Sequence, residues 1–328
     1  MKIDIFTHIM PKRYKDAVLR LGTLSASDMN SVIGTPMVYD LDERFRFMDL
    51  YEGLSQVLTV ASPPLEKIAG PSESIDLARR ANDELAELVA SHPERFAAGV
   101  AALPLSDTDA ALEETDRAIR ELKLKGIQLF TPVCDRPLDL PEFEPLFKKM
   151  AAYDLPIWLH PTRGDDYPDY RSEQRSMHGI NGIFGWPYET TVAMTRLVFS
   201  GLFERYPNLK IITHHCGAMV PFFADRFDAM NRKMEQNRGR DPRITRPAVE
   251  YFKKFYNDTA LYGGSAALAC GYAFFGPERL LFGTDMPLGD SRRGWLNTGR
   301  TIEAIEGMAI PPDEKVMIFE TNARRLLG

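Results

Sequence analysis

Leu280-Leu281-Phe282-Gly283-Thr284-Asp285-Met286 is an apolar run that ends on an aspartate. A carboxylate just past a buried strand is costly unless something pairs with it. Partner-type residues stand in equivalent places far upstream. His8 follows Ile3-Asp4-Ile5-Phe6, and His160 follows Pro156-Ile157-Trp158-Leu159. His214 and His215 follow Lys210-Ile211-Ile212-Thr213. Ligand-type residues at the C-terminal ends of successive strands form the pattern of a metal site on an α/β barrel.

Outward from these runs, the chain alternates short apolar segments with helix-length amphipathic ones. Strands are expected at 2–6, 55–60, 97–102, 126–130, 156–160, 210–214, 255–258 and 280–283. Helices are expected at 74–91, 107–124, 142–153, 189–206 and 220–237, with a seventh helix of the barrel after Tyr262-Gly263-Gly264. Such alternation implies parallel strands joined by crossover helices, and eight repeats fit a closed (β/α)8 TIM barrel better than an open sheet. The reading is a single domain over residues 1–328. Three stretches break the rhythm: 22–40, 164–187 and 288–299. The last two are expected as loop insertions on the C-terminal, catalytic face.

Bulk properties exclude several classes. The 328 residues are 44% hydrophobic and 26% charged, with a net charge of -6. That is ordinary for a soluble globular protein and argues against nucleic acid or an anionic membrane as a partner. No apolar run approaches the roughly 20 residues of a membrane span. The N-terminus enters a strand pattern without the features of a signal peptide. Three widely spaced cysteines fit a reducing compartment, so a cytoplasmic location is expected.

A divalent ion needs several convergent N or O donors. Singly, a strand-end histidine is more often a hydrogen-bonded structural residue, and Asp-Met-Pro is a routine turn start. Jointly, His8, His160 and Asp285 are the expected ligands. Neighbours in a strand face opposite ways, but past its end both His214 and His215 can reach the mouth. One of them can be a ligand and the other a base, or one can support the loop. Neutral histidine suits proton transfer near neutral pH. Arg226, in the helix after Pro221, is a candidate for gripping a substrate carboxylate, and Arg163 is a second. Cys216 reads as a small buried residue rather than a nucleophile. No P-loop or dinucleotide fingerprint is present.

Several motifs together resemble the amidohydrolase superfamily, and within it the metal-dependent decarboxylases of the aminocarboxymuconate-semialdehyde and γ-resorcylate types. They are Ile3-Asp4-Ile5-Phe6-Thr7-His8, Asn82-Asp83-Glu84-Leu85, His92-Pro93-Glu94-Arg95-Phe96 and Leu159-His160-Pro161. They continue through His214-His215-Cys216-Gly217-Ala218-Met219-Val220-Pro221 to Phe282-Gly283-Thr284-Asp285-Met286-Pro287. The resemblance implies a barrel of the metal-dependent hydrolase type holding one divalent ion, zinc foremost and manganese second. It implies His8, His160 and Asp285 as ligands, with Asp285 also catalytic. The family's catalytic histidine stands six residues before a proline and eleven before an arginine, which selects His215 with Pro221 and Arg226. His214 is then the additional residue, assigned with Arg226 and Arg163 to the substrate.

Two departures stand out. The superfamily opens with His-x-His and the resorcylate branch with Glu-x-His, whereas Phe6-x-His8 offers no first ligand. The arginine that the muconate-semialdehyde enzymes carry in the early insert is missing from residues 22–43. The expected function is a non-oxidative carbon–carbon lyase acting on a small unsaturated or aromatic carboxylic acid, in a homodimer. The rivals are a lactone or amide hydrolase using the same metal, and a metabolite-binding barrel with a weakened metal site.

Overall fold

Strand β1 (Lys2–Ile9) pairs in parallel with β2 (Leu54–Val60), and β2 with β3 (Phe96–Gly99). A second parallel run orders β4 (Ile127–Thr131), β5 (Ile157–Pro161), β6 (Ile211–Thr213) and β7 (Tyr256–Asn257). This computed structural model describes residues 1–25, 28–29, 33–288 and 295–328. Backbone bridges join the two runs into a ring. Ala101 bridges to Ile127, Asn257 to Leu280, and Thr7 to Met286. Residues 280–286 therefore act as the eighth stave, bonded to β1 through Ile5 N to Phe282 O (2.8 Å) and His8 N to Met286 O (2.7 Å). The architecture is the expected (β/α)8 barrel.

Helices follow the strands on the outside. The main ones are Pro71–Ser91, Thr108–Arg120, Glu144–Tyr153, Trp186–Phe199, Val220–Arg238 and Ser265–Phe275. Asp107 caps its helix by accepting from Ala110 N at 3.0 Å. The helix expected over 189–206 is broken into Trp186–Phe199 and Leu202–Arg205. The cause is Gly201, at φ +75°, where a Cβ would meet the Arg243 carbonyl at 2.6 Å. The stretch 22–40 contains a 3₁₀ turn at Pro36–Val38, and part of it lies outside the described residues. In the stretch 288–299, residues 289–294 lie outside the described residues, and from Trp295 the chain is helical (Trp295–Glu306) rather than loop.

The register of β1 shifts between Asp4 and Thr7. Ile3 and Ile5 face the barrel interior, and past the shift Phe6 lies in the same inner cluster. A bulge re-aims side chains beyond it; here it lets Phe6 and His8 both enter the interior. Trp158 and Ile212 help fill that interior, and Ala323, Leu326 and Leu327 of the C-terminal helix belong to it as well.

Buried polar residues hold the ring together. Asp4 accepts from Thr284 N (3.0 Å) and from its hydroxyl, fastening β1 to the eighth stave. Burial raises the Asp4 pKa to about 7. The Asn82 and Glu84 motif is structural: Asn82 pairs with both backbone groups of Ala102, and Glu84 accepts from Arg13 N and Tyr14 N. Arg44, just past the early insert, is buried and donates to Met37 O (3.2 Å), Gln56 Oε1 (2.8 Å) and the His8 carbonyl. Burial lowers its pKa to about 9. Arg44→Leu would strand these acceptors, at about 1–3 kcal/mol for each one left buried and unpaired. A loss of at least about 2 kcal/mol in urea unfolding is expected, and an unchanged midpoint would refute the staple.

Candidate metal centre

Four side chains from four staves converge at the C-terminal mouth of the barrel. His8 leaves β1, His160 leaves β5, His214 follows β6, and Asp285 lies on the eighth stave. His8 Nε2 stands 3.0 Å from Asp285 Oδ1, and His214 Nε2 stands 3.3 Å from the same oxygen. One donor atom each from His8, His160 and His214 lies within 4.8 Å of the others; the same is true of His214, His215 and Asp285.

Each ring is oriented by its other nitrogen. Thr59 Oγ1 spends its proton on the Thr7 carbonyl (2.9 Å), so His8 Nδ1–H donates to Thr59 Oγ1 (3.1 Å). His160 Nδ1 donates to the Pro161 carbonyl (2.6 Å). His214 Nδ1 donates to the Asp258 carboxylate. Tyr262 donates to Asp285 Oδ2 at 2.6 Å. The Nε2 atoms of all three histidines and Asp285 Oδ1 are left buried without a hydrogen-bond partner. Orphaned buried polar atoms cost about 1–3 kcal/mol each. Four of them facing one another call for a cation.

Burial opposes charge on His214, but Asp258 and Asp285 outweigh it and raise its pKa to about 10. Burial likewise opposes ionisation of Asp285, yet His214 and His8 hold it well below the usual carboxylate range. His160 is held well below its ordinary value by burial and by its histidine neighbours. Burial, reinforced by His214, lowers His215 to about 4, so it is neutral at pH 7.

Strand β6 ends at Thr213, and the next residues turn in the left-handed region: His215, Cys216, Gly217 and Ala218 all have positive φ. This turn is what allows consecutive histidines to share the mouth, with ring centroids 3.9 Å apart. Three of the four are residues for which such a backbone is uncommon, and strain of this kind gathers at functional sites. Asp258 Oδ1 accepts from Cys216 N (3.1 Å), fastening the turn to β7. Cys216 itself is buried, and burial pushes its thiol pKa up, as befits a packing residue.

The two arginines fare differently. Arg163 lines a cavity of about 580 Å³ with Thr162, Lys67, Asn181, Trp186 and Leu288. It is paired with Glu189 at 2.6 Å. Trp186 links this cavity to the donor cluster, its ring 5.5 Å from that of His160. The loop 164–187 therefore does shape the cavity. Arg226 is exposed on the helix Val220–Arg238, outside the convergence, and among the described residues it pairs with no acid. Sequence reasoning missed Asp258, Tyr262, Thr59 and Lys67. Only Asp258 carried a signal, as one more polar residue ending an expected strand.

The amidohydrolase family model matches residues 3–328. The chain belongs to the amidohydrolase family. It is 33% identical over 302 residues to γ-resorcylate decarboxylase of Rhizobium sp. (strain MTP-10005), covering 87% of this chain and 86% of that protein. It is 28% identical over 344 residues to 2-amino-3-carboxymuconate-6-semialdehyde decarboxylase of Dictyostelium discoideum, covering 100% and 92%. A solved dihydroxybenzoic acid decarboxylase from Polaromonas sp. JS666, with bound manganese and the inhibitor 2-nitroresorcinol, superposes with a TM-score of 0.81. That structure is 28% identical, with 99% of this chain and 96% of that one covered. These likenesses point to a carboxy-lyase of the amidohydrolase superfamily and do not favour the hydrolase or binding-barrel alternatives.

The donor set fits the divalent ion this amidohydrolase is expected to use. Donors about 2.0–2.1 Å from a tetrahedral ion stand about 3.3 Å apart, close to the separations of Asp285 Oδ1 from the two Nε2 atoms. Nitrogen and carboxylate donors suit zinc or manganese. No helix among the described residues is long and apolar enough to cross a membrane. Tyr262→Phe, which frees Asp285 Oδ2, should weaken ion affinity by about 10–100-fold with the thermal midpoint nearly unchanged. An unaltered dissociation constant would remove Tyr262 from the site's support.

Proposed function

We propose that this enzyme is a metal-dependent, non-oxidative decarboxylase of small aromatic carboxylic acids, hydroxybenzoates foremost. The observation that carries the reading is the set of orphaned donors at the barrel mouth, beside a cavity walled by Trp186. Phe6 does not dismantle that set. The early insert supports an aromatic substrate over a muconate semialdehyde. Residues 22–43 hold no arginine, and Arg44 is buried against backbone carbonyls rather than open to the cavity.

His8, His160 and Asp285 would hold the ion, zinc first and manganese second. Bound there, it would offset negative charge on the substrate's oxygens as the carbon–carbon bond breaks. His215 is the proton carrier. It is neutral at rest; a proton taken up from solvent, which its partly exposed ring can meet, makes it a strong acid, able to deliver that proton to the ring carbon that bears the carboxylate. CO2 then departs, and the electron pair of the broken bond restores the ring. Trp186 bounds the apolar side of the substrate. Lys67 and Arg163 supply positive charge to the cavity, with Arg163 already shared with Glu189. His214, its ring centroid 3.9 Å from that of His215, would lie within reach of the same substrate oxygens.

Arg226 faces outward, so its role in carboxylate binding would be met in trans, from the second subunit of a homodimer. The reading remains one domain, cytoplasmic, without nucleic acid.

The direct test is CO2 release across a panel of hydroxybenzoates, carboxylated phenols and muconate semialdehydes. Turnover of at least one aromatic acid, abolished by chelation and restored by zinc or manganese, is expected. No CO2 from any of them, with the ion bound, would overturn the assignment. His215→Ala should abolish turnover while the metal content stays at the wild-type level; loss of the metal would make His215 a ligand instead. Asp285→Asn should cut the rate by orders of magnitude in a protein that still folds, and a near-normal rate would exclude Asp285 from the site.

A further inference from the structure

Phe6 occupies the position where the family's first β1 ligand would stand, and its ring cannot bind an ion. It stacks on His214 instead, with centroids 4.2 Å apart and planes 26° from parallel. His214 in turn presents a buried, unpartnered Nε2 towards His8, His160 and Asp285.

We propose that His214 is a protein ligand of the divalent ion and replaces the donor that Phe6 lacks, with Asp258 as its positioning residue. This rests on the reading above that an ion occupies the barrel mouth, and it moves His214 from the substrate to the metal. Three observations carry it. His214 is equivalent to His8 and His160 in its hydrogen bonding: each ring commits Nδ1 to an oxygen acceptor and leaves Nε2 bare and buried. A carboxylate behind a histidine is the arrangement that fixes the ligating tautomer and raises ligand basicity. Its separation of 3.3 Å from Asp285 Oδ1 is that of two donors on one tetrahedral ion, about 3.3 Å. His215 differs on this point. Its unpartnered buried atom is Nδ1 and the residue is partly exposed, so it remains free to move a proton.

The division of labour follows from the left-handed turn after Thr213. His214 continues inward to the ion, and His215 stays beside it, partly exposed. Phe6 supports His214 from below as an apolar platform, which explains why a bulky aromatic residue is tolerated where the family carries a ligand.

The test measures the ion itself. Wild type, His214→Ala, Asp258→Asn, His215→Ala and the double variant Phe6→Glu/His214→Ala are purified without chelator. Zinc and manganese are counted by elemental analysis, and dissociation constants are measured by competition with a chromogenic chelator. Cobalt(II)-loaded samples report coordination through their visible absorption. The expected results are at least about tenfold weaker binding in His214→Ala and in Asp258→Asn, an altered cobalt spectrum in both, and wild-type affinity in His215→Ala. Recovery of affinity in Phe6→Glu/His214→Ala would confirm that one donor substitutes for the other. Unchanged affinity and spectrum in a folded His214→Ala or Asp258→Asn protein would overturn the proposal and leave His214 as a structural link between Asp258 and Asp285. Wild type that takes up neither metal would instead bring down the underlying decarboxylase reading.

Discussion

The contact between β1 and the eighth stave is the constraint on which the rest depends. Residues 4 and 284 are 280 positions apart, yet Asp4 binds both the backbone and the hydroxyl of Thr284. The neighbouring bonds from Ile5 N and His8 N complete the seam. Without it the ring would be an open sheet with its ends apart, and His8 would not stand 3.0 Å from Asp285. The seam and the site are adjacent: the bonds that close the barrel also set the distance between two donors.

A site assembled this way is electrostatically expensive in the absence of an ion. Carboxylates at Asp258 and Asp285 and rings at His8, His160 and His214 are all withdrawn from water. Burial penalises every charge there, and the groups answer by polarising one another: His214 is driven up to about 10 and Asp285 far down. A divalent cation at the mouth would resolve that tension, because the bare nitrogens and the free carboxylate oxygen face one another. The outer residues Thr59, Asp258 and Tyr262 hold the donors in place beforehand, which keeps the cost of ordering them out of the binding step.

Much of the fold was legible because parallel barrels write it plainly. Strands buried on both faces read as continuous apolar runs, and all eight expected runs take part in the ring. Boundaries were less legible. The third run was expected at 97–102, but its regular pairing ends at Gly99 and only Ala101 bridges onward. The split near Gly201 arises from a close approach by the Arg243 carbonyl, 42 residues away, which no local pattern encodes. The exposed position of Arg226 is similar: helical spacing places it about a turn and a half beyond Pro221, but which face meets solvent is decided by packing.

Read alone, the chain determined the barrel, the strand ends that carry His8, His160, His214, His215 and Asp285, and the absence of a donor at Phe6. These are local properties, set by hydropathic periodicity and by residue type at the end of an apolar run. The tertiary structure alone decided which nitrogen each ring turns inward, that His214 rather than only its neighbour enters the donor cluster, and that Asp258 and Tyr262 stand behind His214 and Asp285. The physical reason is that orientation at the mouth comes from a register shift in β1, a left-handed turn after β6 and hydrogen bonds between staves. Each of these is a relation between distant segments and leaves no periodic trace in the sequence.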